Sequence, residues 1–98
     1  MEKFNEIINA DKPVLIDFFA TWCGPCQMMH PVLEELHSLV GDKARIIKID
    51  IDKNRQLAAE YNVRSVPTLM IFQKGQRLWR ASGVQSAADL EAELSKYY

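Results

Sequence analysis

The sequence predicts an α/β fold: a mixed four-stranded sheet flanked by helices on both faces. Three observations carry that reading. Val14-Leu15-Ile16-Asp17-Phe18-Phe19 is a nearly continuous apolar run, the pattern of a central strand buried on both sides. A second such run, Ala44 to Asp50, follows a long stretch of helical period, so the two strands pair in parallel through a helical crossover. Between two further apolar runs, Gln73-Lys74-Gly75-Gln76 reads as a tight hairpin turn, which adds antiparallel strands.

Each element has its own signal. Residues 2–10 read as a short helix with Phe4, Ile7 and Ile8 on one stripe, and Asp11-Lys12-Pro13 ends it. The strand Val14 to Phe19 follows. A long helix over about residues 24–40 carries Met28, Met29, Val32, Leu33, Leu36, Leu39 and Val40. Pro31 falls inside it and should bend it, and Gly41 supplies the stop. Ala44 to Asp50 is expected as a buried strand through Ile46, Ile47 and Ile49. Asp52 is placed to cap a short helix at about 53–61, with Leu57, Ala58 and Tyr61 inward. Val63-Arg64-Ser65 is a loop. The strand Leu69 to Phe72, the turn and a partner strand through Leu78 to Ala81 form the hairpin, and Trp79 on it is expected at the surface or edge. Ser82-Gly83 breaks that strand. Ser86-x-x-Asp89 then resembles a capping box and opens a last helix with Ala87, Leu90, Leu94 and Tyr97 on one face.

The chain as a whole bounds the function. Its 98 residues make one domain, residues 1–98, and 48% apolar with 26% charged residues fits a globule with a real core. A net charge of −1 offers no electrostatic case for nucleic acid or an anionic membrane. Met1-Glu2-Lys3-Phe4-Asn5-Glu6 lacks the apolar stretch of a signal peptide, and no run approaches transmembrane length, so a cytoplasmic setting is expected. Two cysteines are too few for a disulfide framework and point to redox or metal chemistry.

Those cysteines stand in Trp22-Cys23-Gly24-Pro25-Cys26, where the first strand gives way to the long helix. Pro25 in the first helical turn costs nothing, because its missing N–H would have no partner there. Cys23 then sits at the helix N-terminus, where the dipole and free N–H groups favour a thiolate. Cys26 lies one turn deeper on the same face. One sulfur is presented and the other partly shielded, close enough to join as a disulfide with modest adjustment. A metal is the competing reading. Cys23, Cys26 and His30 are spaced as three of four zinc ligands would be, but no second Cys-x-x-Cys supplies the fourth. The expectation is no metal, with His30 a solvated surface residue.

By this point the chain resembles the thioredoxin family over nearly its whole length. The matching segments, in order, are Asp17-Phe18-Phe19-Ala20-Thr21-Trp22-Cys23-Gly24-Pro25-Cys26, Pro31, Lys48-Ile49-Asp50, Val66-Pro67-Thr68, Lys74-Gly75 and Gly83. Three features depart from the family pattern. The family usually begins with an extra strand that starts earlier than Met1, so the sheet here is expected to lack it. Phe19 stands where Trp is common. His30 stands at a position where the family varies.

The resemblance implies a protein dithiol–disulfide oxidoreductase that reduces client disulfides and maintains redox homeostasis. Cys23 would be the nucleophile, its thiol pKa lowered as is already known for thioredoxins. Cys26 would be the resolving thiol, and Cys23–Cys26 the redox disulfide. Asp17, by itself as readily a strand-end carboxylate, becomes a buried proton acceptor beneath Cys26, its pKa raised by burial. Lys48 is a candidate modulator of Asp17, or an ordinary solvent-facing strand lysine. Pro67 would follow a cis bond, which only the resemblance suggests, since most X-Pro bonds are trans. Trp22, Gly24, Pro25, Val66, Pro67 and Gly83 would form a flat apolar docking surface. No cofactor is expected on the chain, which has no Gly-rich dinucleotide fingerprint. Reducing equivalents would come from NADPH through a separate thioredoxin reductase. The implied partners are that reductase and disulfide-containing client proteins, met by a monomer. An oxidising family member, a non-enzymatic binding subunit and a metal-binding module are the competing functions.

Overall fold

The structure, a computed structural model, describes residues 2–98. The elements are α1 (Phe4–Ile8), β1 (Val14–Phe19), α2 (Gly24–Val40), a 3-10 turn (Gly41–Lys43), β2 (Arg45–Asp50), α3 (Arg55–Glu60), β3 (Thr68–Gln73), β4 (Gln76–Ser82) and α4 (Ala87–Ser95). The strands lie in the order β2-β1-β3-β4. β1 pairs with β2 in parallel and with β3 antiparallel, and β3 pairs antiparallel with β4. The apolar runs occupy the centre: β1 and β3 are buried along almost their whole length.

Strand alternation divides the core in two. Leu15, Leu69 and Ile71 point to one face and pack under Met29, Leu33 and Leu36 of α2 and Leu90 and Leu94 of α4. Val14, Ile16, Phe18, Met70 and Phe72 point to the other, beneath Ile7 and Ile8 of α1 and Leu57 and Tyr61 of the α3 segment. Phe4, Tyr61 and Phe72 close that second core as an aromatic cluster, with ring centroids 5.3 to 5.6 Å apart. Asp17 is two residues from Leu15 and therefore shares the α2 face.

The local signals for β1, α2 and α4 hold. Ser86 accepts a hydrogen bond from the Asp89 N–H at 3.0 Å and caps α4. Gly41 ends α2 at a positive φ of 54°. Lys74 and Gly75 both take positive φ, so the hairpin turn is of the primed kind that matches strand twist.

Several expectations need correction. β2 is half-buried, not a second fully buried strand: Ile46, Ile47 and Ile49 keep partial exposure because β2 lies at the sheet edge. Among the described residues no strand precedes α1, so β2 has a neighbour on one side only. Asp52 does not cap α3. The helix starts at Arg55 with Asn54 before it and no side-chain cap, while Asp52 turns to Trp22. On α2 the buried stripe is Met29, Leu33, Leu36 and Val40; Met28 and Leu39 face solvent. Pro31 sits on the exposed side and α2 runs on through it, since the hydrogen bond it lacks is one solvent can replace. α1 stops at Ile8 because the hairpin takes its carbonyls: Lys74 N–H donates to Ala10 O, and Gly75 N–H to Ile8 O. Of the two places expected for Trp79 the edge holds: it is half-buried on the edge strand β4, against the α2/α4 core.

Candidate active site

Cys23 is the N-cap of α2, with extended backbone angles. Its Sγ accepts a hydrogen bond from the Cys26 backbone N–H at 3.1 Å. A capping Ser or Asp would place an oxygen in this role; here a sulfur takes one of the unpaired donors of the helix start. The same donors and the helix dipole stabilise negative charge on that sulfur when the thiol is free. Pro25 occupies the first turn, as expected.

Cys23 and Cys26 are joined as a disulfide with Cα atoms 5.2 Å apart, so the site is in its oxidised state. Cys23 is 5% exposed and Cys26 is 0% exposed. The asymmetry in area is smaller than the expected picture of one presented sulfur. What separates the two is position: Cys23 lines an open groove and Cys26 faces inward among Ala20, Phe19 and Cys23.

The groove has a volume of about 440 Å³. It brings together Trp22, Cys23, Gly24, Pro25 and Val66 from the expected surface. Ile51, Val63, Arg64 and Ser65 complete it and carried no signal in the sequence. They come from the segments that follow β2 and precede β3, which meet the cysteine turn because β1 ends beside the end of its parallel neighbour β2 and the start of its antiparallel neighbour β3. Trp22 is 69% exposed, yet its Nε1 donates to Asp52 Oδ2 at 2.8 Å, which fixes the indole at the rim. The Val66 carbonyl oxygen lies 3.5 Å from Cys23 Sγ. The Val66–Pro67 peptide is cis, as the resemblance implied. Pro67 is buried behind the rim, and its carbonyl accepts from the Gly83 N–H at 2.9 Å; neither residue lines the groove.

Among the described residues two polar side chains are fully buried, and they differ. Thr68 Oγ1 donates to the Ser65 carbonyl at 2.7 Å. Asp17 has no hydrogen-bond partner among the described residues for either carboxyl oxygen. Burial pushes its pKa from the ordinary 3.8 up to about 6, against a smaller opposing pull from the Lys48 ammonium. Lys48 is directly across from Asp17 in the β1–β2 register. It is exposed, but its Nζ is held at 3.0 Å from His30 Nδ1. His30 is half-buried, and its ring stands edge-on to Phe19 with centroids 5.8 Å apart. The expectation of a solvated His30 is therefore corrected. One signal was legible: His30 is four residues after Cys26, hence on the same side of α2. Among the described residues no three His, Cys, Asp or Glu side chains are grouped to hold a metal.

A disulfide at a helix N-terminus beside an open groove, in a chain that also buries a bare carboxyl, defines a dithiol–disulfide oxidoreductase. The comparisons place it further. The family model described as Thioredoxin matches residues 1–96. A thioredoxin of Porphyra purpurea is 46% identical over 92 residues, which is 94% of this chain and 86% of that protein. A bifunctional thioredoxin reductase/thioredoxin of Mycobacterium leprae is 45% identical over 92 residues, 94% of this chain and 20% of that protein. The solved structure of a mutant thioredoxin from Halobacterium salinarum superposes with a TM-score of 0.86 at 40% identity, covering 95% of this chain and 80% of the other. The chain belongs to the thioredoxin family, oxidoreductases that reduce protein disulfides, and Cys23 and Cys26 are its redox-active pair.

Proposed function

We propose that this thioredoxin-family chain reduces client protein disulfides with Cys23 as the attacking thiolate and Cys26 as the resolving thiol. One observation carries the assignment: Cys23 Sγ is the sulfur that lines the groove and accepts the Cys26 N–H at the start of α2. The Cys23 thiolate attacks one client sulfur, forming a mixed disulfide, and the other client sulfur leaves as a thiolate. Cys26 then gives its proton to the Asp17 carboxylate and attacks Cys23 Sγ. The remaining client sulfur leaves, Cys23–Cys26 closes, and two electrons have passed to the client. A carboxyl titrating near 6 is suited to that proton transfer at neutral pH. Lys48 modulates Asp17 across the strand pair.

The client lies as an extended segment across Trp22, Gly24, Pro25 and Val66, with Pro67 and Gly83 supporting the Val66 backbone from behind. The chain binds no cofactor. NADPH supplies electrons through a separate thioredoxin reductase, a pairing supported by the relative whose name joins the two activities. The protein works as a cytoplasmic monomer. Among the described residues no helix is long and apolar enough to cross a membrane.

Insulin reduction with dithiothreitol, and separately with NADPH and thioredoxin reductase, tests the reading. Accelerated precipitation in both assays is expected. Activity with dithiothreitol alone overturns the reductase pairing, and no acceleration in either overturns the reductase function. Cys26→Ser should accumulate covalent client adducts; adducts formed by Cys23→Ser instead would reverse the roles of the two sulfurs.

A further inference from the structure

The contact between His30 and Lys48 is unusual in its chemistry. An ammonium has three donors and no acceptor, so His30 Nδ1 must supply the lone pair. His30 is then neutral, with its ring proton on Nε2. Its ring is packed edge-on against Phe19, so the acceptor is held in place rather than free to rotate away. Phe19 and Asp17 lie two residues apart on the same face of β1, and Lys48 is the register partner of Asp17. The clasp therefore sits on the flank of the buried carboxyl.

An exposed lysine without such an anchor spreads its charge over many rotamers, and its pull on a neighbour is screened by solvent. Here the charge has one address. Among the described residues Lys48 forms no ion pair. The other ionisable groups on this flank are Glu34 and His37 of α2, which line the same shallow recess as Lys48, and Asp50, two residues along β2 on the same face. None of the three makes a hydrogen bond to Lys48 or His30.

We propose that His30 is a positioning residue of the resolving step, whose neutral Nδ1 holds the Lys48 ammonium against α2 and so sets the positive charge beside Asp17. The proposal rests on the reading of Asp17 as proton acceptor. It assigns to this chain's own His30 a role exerted through Lys48, not through the substrate. Protonating His30 removes the lone pair and repels the ammonium, which opens the clasp.

The test is the carbon-13 carboxyl titration of Asp17 in the oxidised protein, where the cysteines do not titrate. His30→Ala should move the Asp17 midpoint upward by about half a pH unit, the scale of one partly screened charge. His30→Asn, whose side-chain oxygen replaces Nδ1 as acceptor, should restore the wild-type midpoint. In a Lys48→Gln background His30→Ala should move nothing. The pH profile of mixed-disulfide resolution should follow the same displacements. An unchanged or lowered midpoint in His30→Ala, or an upward shift that persists without Lys48, overturns the proposal. A wild-type Asp17 midpoint in the ordinary carboxylate range would instead overturn the Asp17 role itself.

Discussion

The two faces of the sheet are built from alternate residues of the same strands, yet they serve different ends. The α1/α3 face buries Ile16, Phe18, Met70 and Phe72 under an aromatic cluster and, among the described residues, contains no fully buried ionisable group. The α2/α4 face begins the same way with Leu15 and Leu69, then sets Asp17 in the row, bare of hydrogen bonds. One face is close to what stability alone would select. The other gives up stability at a single position, on the strand that leads into the cysteine turn. A buried carboxyl without partners is costly when charged, and such a site persists where chemistry uses it.

Substitutions on the two faces should separate these contributions. The largest effect belongs to the cysteine end: Cys23→Ser should reduce insulin-disulfide reduction to the uncatalysed background while the reduced protein keeps its fold by circular dichroism. On the opposite face, Phe72→Ala should cost about 3–5 kcal/mol in urea unfolding, because it empties a fully buried ring site. It should leave the rate of Cys23 alkylation nearly unchanged, and a large change in that rate would mean that the two faces are coupled.

Asp17→Asn should have the opposite sign. With its pKa raised from 3.8 to about 6, the folded state holds the proton more tightly than the unfolded chain. Stability from this group is therefore full below the lower value, falls as pH rises between the two, and is lost above the higher. The charged carboxylate then costs on the order of 2–3 kcal/mol at pH 8. Asp17→Asn should be more stable than wild type by that amount at pH 8 and by only about 0.5 kcal/mol at pH 4, while resolution slows more than initial attack. A variant no more stable at pH 8 would show that the two faces do not differ as described. The smallest effect lies far from both: Ser86→Ala removes the α4 cap and should cost about 1 kcal/mol without altering any redox rate.

Much of the site was legible in the chain itself. Two cysteines three residues apart, with Pro25 between them at a strand-to-helix junction, specify a capped sulfur by local geometry alone. The hairpin and the α4 cap are equally local. The edge position of β2 was not legible, because Ile46, Ile47 and Ile49 present the same apolar run whether one neighbour or two lies beside them. Asp52 has the composition of a helix cap, and only the approach of Trp22, thirty residues away in sequence, diverts it.

Periodicity and capping chemistry were enough to determine β1, α2, the hairpin, α4 and the reactive pair, because those signals act within a few residues. Tertiary structure alone decided the groove walls at Ile51, Val63, Arg64 and Ser65, the isolation of Asp17 and the His30–Lys48 clasp. Each of these depends on which strand lies beside which, and on what register, and that is settled by the packing of the whole sheet rather than by any one segment.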